Sequence, residues 1–158
     1  MTDHTPEADK SHENKHGIVV GVDGSAASDN ALSWALSEAE RRGVDLDVVI
    51  AWTFPYQWAE GFDMMWREDS EYFAKTALAE ADKAVERVLP GVARPSWLHV
   101  WAVEGTASVV LLNRAKTAEM LVVGTRGRGG FQDLLLGSVS TACVHHTPCP
   151  IAVIPCDR

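Results

Sequence analysis

The hydrophobic positions of this chain switch repeatedly between short unbroken runs and a three- to four-residue period. The first run, Gly17-Ile-Val-Val-Gly-Val-Asp23, is β-branched and has no polar interruption, as a parallel strand covered on both faces reads. Asp23-Gly24-Ser25 then supplies turn chemistry and an N-cap candidate, and Ala27, Ala31, Trp34, Ala35 and Ala39 recur at helical spacing until Gly43. The rest of the chain repeats this unit of strand, tight turn and helix. Asp47 to Trp52 predicts a second strand, followed by an irregular stretch, Thr53 to Arg67, that holds Pro55, Tyr56, Trp58, Phe62, Met64, Met65 and Trp66. A long helix carries Ala74, Ala77, Leu78, Ala81, Val85, Val88 and Leu89 on one stripe and stops at Pro90-Gly91. Ser96 to Val103 predicts a third strand, Gly105-Thr106 opens a helix to about Ala115, and Met120 to Gly124 is a fourth strand. After a glycine-rich segment, a helix from about Ser138 to His145 leads into a fifth strand, Pro150 to Ile154.

Five strands alternating with four helices predict an α/β fold around a mostly parallel sheet with right-handed crossovers. In such sheets ligands bind beyond the carboxyl ends of the strands, at the point where strand order reverses. Asp23-Gly24-Ser25 and the segment opening at Gly124 both follow the end of a predicted strand, so both are expected to face one crevice.

Composition narrows what that crevice serves. At 158 residues and 46% hydrophobic content, one domain with a real core is expected. A net charge of −8 argues against a general nucleic-acid binder, which would need clustered Lys and Arg, although a local basic patch stays open. Cys143, Cys149 and Cys156 are odd in number and lack CxxC spacing, and no cationic apolar leader precedes them, so reduced thiols in a cytoplasmic protein are expected. No apolar run approaches the ~18 residues that span a bilayer. Residues Met1 to Lys15 show no hydrophobic periodicity and read as a disordered tail ahead of a domain covering residues 16–156. His4, His12 and His16 are too irregularly spaced for a metal site.

The familiar phosphate fingerprints are missing: there is no GxxxxGK[ST], and Gly127-Arg128-Gly129-Gly130 falls short of GxGxxG. What remains is Gly124-x2-Gly127-x9-Gly137-Ser138. The first two glycines would free amide N–H groups to face an anion, and the last would place a helix N-terminus beside it. Ser138 and Ser140 add hydroxyl donors, and Arg126 and Arg128 add positive charge. A glycine cluster is also what a flexible turn needs, and Ser138 is also a plain helix cap; the spacing after this strand favours phosphate.

Ile18-Val-Val-Gly-Val-Asp23-Gly-Ser25, the glycine motif, and the ending Cys149-Pro-Ile-Ala-Val-Ile154 together resemble the universal stress protein family in its single-domain, ATP-binding type, over about residues 16–156. The resemblance implies a doubly wound, Rossmann-like sheet of five parallel strands in order 3-2-1-4-5, helices on both faces, and assembly as a homodimer. It implies ATP across the ends of strands one and four, with the presence of Mg²⁺ left open. Gly21, Val22 and Asp23 would border the adenosine, Asp23 near the ribose, and the backbone of Ala51 would meet the adenine. Gly124, Thr125, Arg126, Gly127, Arg128, Gly129 and Gly130 would wrap the phosphates, closed by Gly137, Ser138, Val139 and Ser140, with Phe131 to Leu136 as an apolar spacer.

The expected role is a nucleotide-responsive stress regulator acting through dimer or partner surfaces. Asp23 would sit too far along the ligand to act on the terminal phosphate, and His145 and His146 lie about two turns down their helix, so no catalytic residue is expected. A slow ATPase or phosphotransferase using the same pocket, and an interaction module without nucleotide, are the alternatives. The apolar terminal strand, Pro150 to Pro155, is the expected dimer edge. The aromatic stretch Thr53 to Arg67 is either a lid on the domain or dimer partner, or a surface for a protein partner. Neither nucleic acid nor membrane is an expected partner.

Overall fold

Ile18, Val19 and Val20 expose no surface at all, so the first strand turns side chains into a core on each side. The computed structural model describes residues 16–54, 66–127 and 135–156. Along them run β1 (His16–Gly21), α1 (Ala26–Arg42), β2 (Leu46–Trp52), α2 (Trp66–Val88), β3 (Leu98–Glu104), α3 (Ala107–Ala115), β4 (Ala118–Gly124), α4 (Ser138–His146) and β5 (Ile151–Ile154). The expected tail, residues 1–15, and most of the aromatic stretch, residues 55–65, lie outside the described residues.

All the strand pairs are parallel, and the sheet order is β3-β2-β1-β4-β5. Chain order thus reverses between β1 and β4, whose carboxyl ends lie side by side with Val20 opposite Val122. On one face Ile18, Val20, Val48 and Val122 pack with Leu32 and Ala35 of α1 and Ala81 and Val85 of α2. On the other, Val19, Val49 and Leu121 pack with Val110 and Leu111 of α3 and Cys143 of α4. The unbroken apolar run of the first strand is therefore a consequence of two cores rather than one.

Local chemistry sets the helix ends. Ser25 caps α1, accepting the Ser28 N–H at 3.2 Å, and Gly43 ends it with φ +67°, a left-handed conformation that glycine adopts without penalty. Two of the stripe positions differ from expectation: Trp34 is 37% and Leu78 is 38% exposed. The positions of these helices that are fully buried are Ala31, Leu32, Ala35 and Ala39 of α1 and Ala81 and Ala84 of α2. An ion pair between Arg87 and Asp29, at 2.7 and 3.0 Å, bridges the two helices. The helix α2 also begins earlier than its apolar stripe suggested, so Trp66 and Arg67 are helical rather than irregular. At the start of the aromatic stretch, Phe54 packs edge-on against Phe73 of α2, with ring centroids 5.6 Å apart.

The edge strand β3 explains a charge inside the sheet. Buried Asp47 accepts the indole N–H of half-exposed Trp101 at 2.9 Å, and the Arg114 guanidinium lies 4.8 Å over that ring, 3.8 Å from the same carboxylate. Burial pushes the Cys143 thiol up, away from the reactive thiolate. None of the described helices is long and apolar enough to cross a membrane.

Leu121 has no exposed surface and sits in the middle of β4. Leu121→Ala is expected to lower stability by about 2–5 kcal/mol, read by chemical denaturation.

Candidate functional site

Beyond the carboxyl ends of β1, β2 and β4 lies a crevice to which Gly21, Val22, Asp23, Ala51, Gly124, Arg126, Gly127 and Val139 all contribute. Eight of the expected site residues thus meet in one cavity, drawn from four separate parts of the chain. Ser28, Val49, Ala107, Leu111 and Val123 also line it and were not foreseen. Ala107 and Leu111 are four apart on α3, a helical spacing that signals a shared face, but nothing local says which strand end that face covers.

Thr125 lines an adjoining depression with Ser25 and Ala27, and Arg126 and Gly127 border both hollows. Gly137 donates its N–H to the Thr125 carbonyl at 2.7 Å, which ties the start of α4 to the loop after β4. Ser138 is exposed at that helix start, outside the cavity lining. Ser140 is buried, and its hydroxyl lies 3.0 Å from the carbonyls of both Thr125 and Gly137. It therefore clamps the loop to the helix. Arg128, Gly129 and Gly130, together with residues 131–134 of the spacer, lie outside the described residues.

The glycines differ in what they permit. A Cβ at Gly124 would come within 2.9 Å of the Ala27 carbonyl oxygen, and one at Gly127 within 2.5 Å of Asp23 Oδ2. One at Gly21 would strike Leu111 at 2.7 Å. A Cβ at Gly137 would meet nothing nearer than 3.5 Å, and its φ of −75° suits any residue. Gly124 thus faces backbone that cannot give way, Gly127 and Gly21 face side-chain ends that would have to move, and Gly137 is unexplained by packing.

Register decides where Ala51 points. The Val22 N–H donates to the Val49 carbonyl at 2.9 Å, and the Gly105 N–H donates to the Trp52 carbonyl at 2.7 Å. Backbone groups alternate sides along a strand, so the N–H and C=O of Ala51 face as Val49's do, past the end of β1 and into the crevice. The walls there are apolar, formed by Ala51, Leu111, Val123 and Val139.

Two helix N-termini bring partial positive charge to the rim. At α1 that charge is offset by Asp23, whose Oδ1 accepts the Ser25 N–H at 2.9 Å and the Ser25 hydroxyl. At α4 the N-cap is Gly137, which has no side chain to occupy the first-turn N–H groups, and no acid lies in that turn. With Arg126 exposed nearby, the α4 end is the one suited to an anion. An apolar slot, a carboxylate at the start of α1 and an open N-terminus at the start of α4 are thus brought together.

The model of the universal stress protein family matches residues 16–155. A universal stress protein of Mycobacterium tuberculosis is 35% identical over 149 residues, which cover 90% of this chain and 49% of that protein. The chain spans about half the length of the curated relatives it matches. Its fold is similar to that of universal stress protein UspA from Lactobacillus plantarum, with a TM-score of 0.70, 24% identity, and 89% and 97% of the two chains covered. It is also similar to a universal stress protein solved in complex with cAMP, with a TM-score of 0.62, 23% identity, and 90% and 98% covered.

The glycine contacts lead to a graded expectation. Gly124→Ala is expected to lower the melting temperature by several degrees, because the clash is with backbone that cannot swing aside. Gly137→Ala should leave it within about a degree, since surface changes that create no clash usually stay within roughly ±0.5 kcal/mol. Differential scanning fluorimetry of the two variants checks both.

Proposed function

This chain belongs to the universal stress protein family, and from that footing we infer that it binds ATP in the crevice and acts as a nucleotide-responsive regulator. The observation that carries the reading is the convergence of the Ala51 backbone, Asp23, Gly127 and the uncapped start of α4 along one cavity rim. Adenine would lie against Ala51 and Leu111, the ribose by Asp23, and the phosphates along Arg126 and Gly127 toward Gly137 and Ser138. Thr125, Val139 and Ser140 would hold that end in shape, and Arg128, Gly129 and Gly130 would complete the wrap. The relative solved with cAMP supports an adenine nucleotide as the ligand class.

Binding alone shifts an equilibrium only through different affinities for two states. Here the difference would arise at the loop: nucleotide phosphates would order it against α4 and so bias an adjoining surface. That surface is the outer edge of β5, the last strand in the sheet order, whose residues Ile151 to Ile154 are only half-buried. A second copy adding there would give a homodimer and cover an edge that otherwise offers unpaired backbone groups. The aromatic stretch 53–67 would supply a lid or a surface for a protein partner. Cytoplasmic residence fits the unpaired thiols of Cys143, Cys149 and Cys156.

Binding is favoured over turnover because none of the described residues placed along the phosphates, Arg126, Gly127, Gly137 and Ser138, offers a base to activate water. A slow ATPase remains the rival.

ATP at a hundred times its dissociation constant should stabilise the protein by about 2.7 kcal/mol. A rise in melting temperature that disappears in Gly127→Glu is the expected result, and no rise with millimolar ATP would overturn the reading. Labelled ATP with Mg²⁺ should show no phosphate release above background; release that Gly127→Glu abolishes would establish the ATPase instead. Light scattering at micromolar concentration should return twice the 17.2 kDa chain mass, and a monomer would refute the dimer.

A further inference from the structure

Asp47 is a buried carboxylate among the apolar residues of β2, with 4% of its surface exposed. Its partners come from the two elements beside it. The Trp101 indole N–H of β3 donates to Oδ1 at 2.9 Å, and the Arg114 guanidinium of α3 stands 3.8 Å from Oδ2. Arg114 also lies over the Trp101 ring, so the three side chains close on one another. A buried ion pair adds little net stability over well-packed apolar residues of similar volume, and its best attested use is to fix register. What it registers here is α3 on β2. That helix has nine residues and no side-chain cap at its start, so its own ends do little to place it.

Side chains on one face of a strand recur every second residue, so Asp47, Val49 and Ala51 share the face turned to α3. Along α3, Arg114, Leu111 and Ala107 recur at three- and four-residue steps and share a face as well. The two rows run in opposite directions and match. Arg114 meets Asp47 at one end, Leu111 packs in the same core as Val49, and Ala107 and Ala51 both line the crevice. Four strand steps span about 13 Å and seven helix steps about 10 Å, close enough for the rows to stay in register from anchor to crevice. The rows also taper, from bulky charged groups at the anchor to two alanines at the mouth. We propose that Asp47 and Arg114 are positioning residues that hold α3 on β2, set the width of the slot between Ala51 and Ala107, and thereby decide the size of base that the crevice admits. The proposal rests on the nucleotide reading above and adds to it two residues outside the cavity lining.

The test is the affinity of the full chain for ATP and for N⁶-benzyl-ATP, whose base carries an added ring, measured by titration calorimetry. Wild type should prefer ATP on the order of tenfold or more, because a slot that fits one base rejects added bulk. Arg114→Gln removes the charge from a side chain that is already partly exposed, and should cut the preference to about threefold or less. Arg114→Lys keeps a positive charge beside Asp47, so its preference should lie nearer the wild type than that of Arg114→Gln. A general loss of helix support would weaken both ligands alike. An Arg114→Gln protein that keeps the wild-type preference, whatever its absolute affinities, would therefore overturn the proposal while leaving the nucleotide site standing. An Arg114→Lys protein as unselective as Arg114→Gln, or a wild type that takes both ligands equally, would do the same. Should Arg114→Gln not fold, Trp101→Phe removes the other donor to Asp47 at a half-exposed position and is held to the same criteria. A wild type that binds neither ligand would instead bring down the nucleotide reading, and this proposal with it.

Discussion

At the end of β4 the backbone of Gly124 runs so close to the Ala27 carbonyl that no side chain fits between them. This approach brings the loop after β4 down onto the first turn of α1, and the other features of the crevice follow from it. Gly127, three residues on, is carried over Asp23. Thr125, between them, receives the Gly137 N–H and faces the Ser140 hydroxyl, so the loop is stitched to α4 as well. Two helices that are distant in sequence are thereby presented to the same hollow.

Those two helix starts are not equivalent, and the difference gives the crevice a direction. At α1 a carboxylate and two serine hydroxyls occupy the positive end. At α4 a glycine cap leaves it open. The α4 start, with no acid in its first turn, is therefore the end of the crevice better suited to negative charge.

Much of this was legible in the chain. The β-branched run at Ile18 to Val20 announced a strand with two covered faces, and both cores are there. The family resemblance anticipated the strand order, which composition and period alone do not contain. Trp34 and Leu78 were misplaced on buried stripes, since helical period says which residues share a face and not how near the sheet comes to it. Leu111 and Ser28 escaped notice at the crevice for a related reason: an ordinary apolar helix position and an ordinary first-turn serine carry no mark of what they will face.

By itself the sequence determined which segments are strands and helices and how Ser25 and Gly43 bound α1, because period, β-branching and capping act within a few residues. The tertiary structure decided which of those turns meet and what each polar group does there. Ser138 and Ser140 look alike in the chain, yet one is exposed at the rim and the other is buried, with its hydroxyl against a carbonyl 15 residues away. Hydrogen bonds across that separation depend on how the helices dock on the sheet, and docking is a property of the assembled cores rather than of any local stretch.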